Sequence, residues 1–293
     1  MQTSPITIIK TGYPVLVTLV FIGIQTLLPG ISQPLIAGFI LLGMIFPGIP
    51  HGALDHCLQH HDALRGKALA RFVGQYLFYM AIVGLLWIVS PEAGVITFIL
   101  YSAWHFGETD VRKWEAFHPA LALLYGLALL TFLLTSHPET FVAYLQALGL
   151  KTMNWATSHT LLMLSIASLC LLIPTAFFIP KKSLLSWAVT LAVLLLSVQL
   201  PLLLAFGLYF IVLHSAQGWS DLHKGLGLPH SHLFKKALPF SLGAYALFVG
   251  LFFAKSLLGF QIEGLIPTLF IFLAAVSAPH IWMMHAFYQR ASA

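Results

Sequence analysis

The sequence predicts an all-α fold, a polytopic transmembrane helical bundle of about ten spans. Two features of composition and one of patterning carry this reading. The 293 residues are 59% hydrophobic, and only 8% are charged, against about 25% in soluble domains. The mean hydropathy is +0.91, a level that a soluble fold of this size has no interior to hide. The apolar residues also fall into nearly uncharged stretches close to the roughly 20 residues that carry a helix across about 30 Å of hydrocarbon.

Taken in order, the segments are 13–29, 35–58, 70–90, 93–108, 118–136, 156–179, 183–200, 202–219, 237–256 and 264–288. The first runs uncharged from Tyr13 to Pro29 and follows Lys10 without a small-x-small cleavage pattern, so it is expected to stay as a helix. The second is broken by Pro47-Gly48-Ile49-Pro50, and the tenth contains Pro279. The third, fifth, seventh and ninth contain the uncharged runs Phe72 to Ser90, Ala120 to Thr135, Leu184 to Leu200 and Leu238 to Ala254. With ten spans, one side of the membrane receives Lys10, Arg65, Lys67, Arg71, Arg112, Lys113, Lys181, Lys182, Lys224, Lys235, Lys236 and Arg290. The other side receives only Lys151 and Lys255. The positive-inside rule then puts both termini in the cytoplasm and the chain in the inner (plasma) membrane as a multi-pass protein.

No internal repeat, low-complexity tract or soluble linker interrupts the chain, so residues 1–293 are expected to form a single integral membrane domain. The net charge of +5 comes from basic residues scattered through short loops, not from a stripe or tail, and no nucleic-acid partner is implied. Cys57 and Cys170 lack metal-type or disulfide-framework spacing and read as packing residues. Membrane lipid is the expected surrounding, and the sequence does not give the oligomeric state.

Ionisable groups inside a bilayer are costly and mark function by default. Of the fourteen histidines, His118, His137, His159, His223, His230 and His232 lie in loops or at helix ends. His51, His105, His214 and His280 instead fall on the second, fourth, eighth and tenth segments, which all run in one direction. Each lies about 12 to 16 residues from its span start, or roughly 18 to 24 Å at 1.5 Å per residue. One buried histidine is most simply a hydrogen-bonded structural residue. Four at a common depth suit a transition-metal site in a bundle core, with iron, copper or zinc favoured over calcium or magnesium.

Asp55 follows His51 by four residues and Glu108 follows His105 by three, so each acid can share a helix face with its histidine and fix the ring tautomer. The plainer reading is that both acids cap helix ends. Tyr101, Trp104, Tyr209, Phe210, Trp219 and Trp282, with Phe106, Met283 and Met284, are large side chains around the proposed centre. They could wall a tunnel for a long, lipid-soluble substrate, or simply pack the bundle and anchor its interfaces.

The strings Pro50-His51-Gly52-Ala53-Leu54-Asp55-His56, Trp104-His105-Phe106-Gly107-Glu108, Leu213-His214-Ser215 and Pro279-His280 resemble the Brp/Blh family of bacterial and archaeal membrane β-carotene 15,15'-dioxygenases. The resemblance covers most of the chain in the same order. It implies an enzyme that holds Fe(2+) through histidines and uses O2 to cleave the central double bond of β-carotene, giving two retinal molecules. The imported ligand roles fall on His51, His105 and His214. The family pattern His-Ser-x-x-His meets Gly218 at its fifth position here, and His280 is the expected substitute, ahead of His56 and His285. Asp55 and Glu108 would orient ligands, and the aromatic side chains would place the central bond beside the metal.

Two rival readings stand beside this one. His56-Cys57-Leu58-Gln59-His60-His61 superficially matches a histidine box of a membrane di-iron desaturase or hydroxylase, although such enzymes cluster more histidines in several boxes. A transporter or proton pathway with histidine relays would use the broken second segment, but embedded carboxylates are few and no repeat is visible. A retinal-binding opsin lacks its mid-membrane lysine, since Lys255 stands at a helix end.

Overall fold

Every one of the ten expected segments is helical in the computed structural model. The structure describes residues 5–58, 64–150, 156–254, 257 and 264–291, with side chains from residue 12 onward. Gln59, His60, His61, Lys151, Lys255 and the side chain of Lys10 therefore lie outside the described residues.

Helix α1 spans Pro5–Leu27. Helix α2, Pro29–Gly43, begins on a proline whose missing N–H coincides with a donor that no helix start can bond. It runs into a π-helical turn, Met44–Gly48, a short α3, Ile49–Gly52, and a 3-10 turn, Asp55–Cys57. The break matches Pro47 and Pro50, which donate no backbone hydrogen bond. Helix α4, Gly66–Val89, is followed by α5, Pro91–Lys113, which carries Glu92 in its first turn and Arg112 and Lys113 in its last, as the helix dipole favours. Helices α6, Pro119–Thr135, and α7, Pro138–Ala147, meet at a 95° bend. Helix α8, Ser158–Leu172, is capped by Thr157, whose hydroxyl accepts from the Thr160 N–H at 3.1 Å, and it tightens into the 3-10 segment Ile173–Phe178. After α9, Leu184–Ser197, the chain forms α10, Leu202–Gly207, then a π-helical stretch, Leu208–Ser215, and α11, Ala216–Leu226. Helices α12, His230–Ala254, and α13, Leu265–Ala291, complete the described residues.

Fewer than ten of the described helices have by themselves the length and apolarity of a full crossing. Among the described residues six helices are long and apolar enough to span a membrane, or seven if the bent pair α6–α7 is one span. The shortfall has physical causes. The apolar part of α1 that is described covers only Gly12–Leu27, and α9 has 14 residues, about 21 Å at 1.5 Å per residue. Helix α6 stops after 17 residues at its bend, and α5 carries Glu108, Asp110, Arg112 and Lys113 in its last turns. The chain is nonetheless a membrane protein in its surface as well as its length. Val89 is 75% exposed, Phe177 90% and Phe253 76%, the outward apolar display that lipid tolerates and water does not. Cys170 on α8 is likewise exposed, while Cys57 is buried.

The described residues group into two compact units. The first comprises 1–48, 106–141 and 157–218; the second comprises 49–105, 142–156 and 219–293, so α5 contributes to both. In the first unit α1 packs on α2 and α9, α6 on α8, and α10 on α2, α6 and α9, while the two π-helical stretches pack on each other. Close backbone approach makes this possible: a Cβ on Gly107 of α5 would lie 1.8 Å from the Ala122 carbonyl oxygen of α6, the small-residue contact by which membrane helices associate. In the second unit α13 packs on α4 and α12, and α3 packs on α12. Leu54, Cys57, Leu222, Leu233, Ala237, Met284 and Tyr288 form its buried cluster.

Gly107→Ala should separate α5 from α6, costing about 1–3 kcal/mol through overpacking. Gly74→Ala in α4, where a Cβ meets nothing within 4 Å, should be neutral or stabilising by up to about 1 kcal/mol. Thermal unfolding of the two variants in one detergent checks the contrast.

Candidate active site

The second unit contains the densest set of buried polar side chains that the sequence singled out, and local backbone explains how they meet. Helix α3 is a single turn, and after Gly52 the chain tightens through Cys57 N–H to Leu54 O at 2.8 Å and Leu58 N–H to Asp55 O at 3.0 Å. Gly52 stands beside the His280 ring, where a Cβ would make an ordinary contact at 3.4 Å from Nδ1. On α13, Pro279 withholds the N–H that would bond the carbonyl one turn back. Two tyrosine hydroxyls bond carbonyls in this stretch, Tyr76 to Val276 at 3.1 Å and Tyr101 to Ala274.

His51, His105 and His280 are brought together. The ring centres of His51 and His280 are 5.0 Å apart, those of His105 and His280 are 5.2 Å apart, and both pairs meet edge to face. All three are buried, with exposures of 4%, 3% and 5%. His280 Nδ1–H donates to Asp55 Oδ1 at 2.8 Å, and Tyr76 OH donates to Asp55 Oδ2 at 3.0 Å. A carboxylate only accepts, so Nδ1 carries the proton of this pair and Nε2 is the ring nitrogen turned away from Asp55. That Nε2 is buried and has no hydrogen-bond partner among the described residues. Among the described residues no three His, Cys, Asp or Glu side chains already stand at metal-holding distances.

Asp55 therefore orients a different ring from the expected one: its imidazole partner is His280, 225 residues away, not His51. The expectation extended helical periodicity from His51 to Asp55, but α3 ends at Gly52 and the 3-10 turn rotates Asp55 away from that face. Tyr76 escaped the sequence reading. Its signal was available, since it is a hydroxyl in the middle of an otherwise apolar segment, subject to the same cost argument as the histidines.

His214 belongs to the first unit. It lies in the π-helical stretch Leu208–Ser215, 2% exposed, against Phe106 at 4.5 Å and Phe210 at 5.8 Å between ring centres. In the same unit the fully buried Glu108 bonds Arg112, one turn on, at 2.9 and 3.0 Å, and the Arg112 guanidinium sits 3.7 Å over the Phe117 ring. Tyr209 is fully buried and donates to Asp110, and Phe210 stacks on Phe206.

The remaining expected residues divide. Trp104 is half-buried with its ring 5.6 Å from that of His285, and Trp219 and Met283 pack against the cluster that buries Met284. Trp282 is 70% exposed and faces outward, because two residues along a helix are about 200° around it from His280; the expectation that it walls an interior tunnel is not met. His56, a weaker ligand candidate, already bonds the Ala53 carbonyl through Nδ1 and Cys57 Sγ through Nε2, and stacks on Phe240.

A family model described as β-carotene 15,15'-dioxygenase matches residues 42–288. The chain belongs to that family. Over 70 residues it is 34% identical to the β-carotene 15,15'-dioxygenase of uncultured marine bacterium 66A03, a stretch that covers 23% of this chain and 26% of that relative's length. No solved structure matches. The family match takes in His51, Asp55, Tyr76, His105, His214 and His280, and it begins two residues before the π-helical turn that leads to His51.

Asp55→Ala would leave His280 Nδ1 buried without its carboxylate, at a cost of roughly 1–3 kcal/mol, while the Tyr76 hydroxyl would keep the Val276 carbonyl as its acceptor. Tyr76→Phe removes one donor and should cost about 1 kcal/mol. Unfolding midpoints in detergent should therefore fall in the order wild type, Tyr76→Phe, Asp55→Ala.

Proposed function

We propose that this protein is an iron- and O2-dependent β-carotene 15,15'-dioxygenase that works within the plasma membrane. In this reaction the central C=C bond of β-carotene is replaced by two C=O bonds, so one polyene and one O2 give two retinal molecules. Family membership supports the reaction, and the observation that carries the site is the buried trio of His51, His105 and His280, with one ring held by Asp55.

Donor chemistry and two ring spacings support iron as the ion. Two imidazoles that share one ion through metal–nitrogen bonds of about 2.1 Å have ring centres roughly 4.6–5.3 Å apart, and the observed spacings to His280 are 5.0 and 5.2 Å. His280 Nε2 is an orphan acceptor whose burial a cation would offset. The Asp55 carboxylate behind the ring raises its basicity, as partners of metal-binding histidines do. When bound, Fe(2+) supplies the redox chemistry that reaction with O2 requires.

The chain itself binds and orients. His280 stands in for the histidine that the family pattern has where this sequence has Gly218, and the resemblance assigns His214 a ligand role as well. Glu108 contributes by fixing its stretch of α5 through Arg112. In the second unit Trp104 and Trp219 offer apolar surface for a polyene, and exclusion of water by that surface keeps side reactions of O2 out. The substrate is lipid-soluble and reaches such a site from the bilayer. The bias of basic loop residues supports cytoplasmic termini.

Expression in a bacterium that makes β-carotene is expected to bleach the cells and yield retinal; coloured cells without retinal, at good protein levels, would sink the activity. His105→Ala and His280→Ala should each cut iron retained by the purified protein at least about tenfold. Wild-type iron content in either variant would remove that residue from the ligand set.

A further inference from the structure

The stretch Leu208–Ser215 is π-helical over eight residues, longer than the single-turn bulges that are usual. In a π-helix each N–H bonds the carbonyl five residues back, so residues five apart stand one above the other. In an α-helix that relation belongs to residues three and four apart. Tyr209 and His214 are five apart, and they share a face only while this stretch keeps its π phase.

Contacts inside the first unit act on that phase. Tyr209 OH donates to Asp110 Oδ2 at 3.0 Å, and Tyr125 of α6 donates to the same oxygen at 3.3 Å. Asp110 is 1% exposed and Tyr209 fully buried, so this hydrogen bond has no water to replace it. From α1, Tyr13 OH donates to the Val212 carbonyl at 2.8 Å, in the middle of the stretch. Ile211 fills the space over Gly43, where a Cβ would come within 2.3 Å of its Cδ1. A hydroxyl, a carboxylate and a steric stop thus address three residues of one irregular segment.

We propose that Asp110, through Tyr209 and with Tyr13, is a positioning clamp that holds Leu208–Ser215 in π-helical phase and so sets the direction of the His214 ring. The proposal rests on the reading of His214 as an iron ligand for its functional consequence, and on the hydrogen bonds above for its existence. Relaxation of the stretch to α-helix would turn the residues beyond it by up to one residue's worth, about 100°. The His214 ring would then leave its place against Phe106 and Phe210.

The test uses the full-length protein in detergent, with Tyr209→Phe, Asp110→Leu, Asp110→Asn and His214→Ala. Two readouts go beyond stability: amide hydrogen exchange over 208–216, and the visible spectrum of the protein loaded with Co(II) in place of iron. Tyr209→Phe removes one oxygen atom and is expected to speed that exchange about tenfold, the equivalent of one buried hydrogen bond, and to shift the Co(II) bands. Asp110→Leu should do the same or more. Asp110→Asn keeps an accepting oxygen and should restore most of the wild-type behaviour. Wild-type exchange and spectrum in Tyr209→Phe would overturn the clamp, even where Asp110→Leu fails to fold. If His214→Ala retains Co(II) with an unchanged spectrum, the ligand reading fails, and the exchange data alone then decide the clamp. If His214→Ala changes the spectrum and Tyr209→Phe changes nothing, the ligand reading stands and the clamp does not.

Discussion

A carboxylate with 1% exposure inside an apolar bundle is the constraint around which the candidate site is organised. Taking Asp55 out of water costs several kcal/mol unless donors replace the lost hydration, and two do, His280 from α13 and Tyr76 from α4. The bond to His280 is useful in both directions. It satisfies the acid, and it settles which ring nitrogen carries the proton, leaving the other as an acceptor in a pocket of histidines. Helix α3 stops after one turn, at Gly52, and the 3-10 turn that follows carries Asp55.

Much of the helical organisation was legible from composition and periodicity, because apolar runs bounded by basic loops leave few alternatives in a membrane. Each of the ten expected segments falls largely on helix, although α1 and α12 begin before the expected limits, at Pro5 and His230, and α11 runs on to Leu226. Whether each one crosses was less legible, since crossing depends on length, charge and straightness together. Helix α6 carries a full apolar stretch yet bends by 95° at Ser136-His137, where His137 bonds the Leu200 carbonyl at 2.8 Å. That bond joins residues 63 apart, and no local pattern announces it.

At the site, the residue types were readable and their pairing was not. Buried histidines and acids stand out against an apolar sequence because each carries a desolvation cost that some partner must offset. Which partner does so is a long-range fact. Asp55 found a ring from the other end of the chain, Glu108 found Arg112 on its own helix, and Asp110 found hydroxyls from α6 and from the π-helical stretch. The periodicity argument that tied Asp55 to His51 failed at the point where the prolines end regular helix, and there sequence spacing stops measuring direction.

Tyrosine hydroxyls bond backbone carbonyls in both units. In hydrocarbon there is no water to bond a carbonyl that a proline or a π turn has released, so irregular backbone needs a donor from the protein. A tyrosine reaches about as far as any apolar side chain and ends in such a donor. Tyr13 bonds Val212 in the π-helical stretch, while Tyr76 and Tyr101 bond Val276 and Ala274 beside Pro279. The first of these carbonyls lies in an irregular stretch, while the other two lie within α-helical α13, one residue to either side of Ala275, whose carbonyl faces the N–H that Pro279 lacks. Tyr101 and Tyr209, expected as tunnel wall, are thereby committed through their hydroxyls to holding backbone or a carboxylate. The orientation of the His280 ring is thus set one layer back, by the Asp55 carboxylate that Tyr76 in turn bonds.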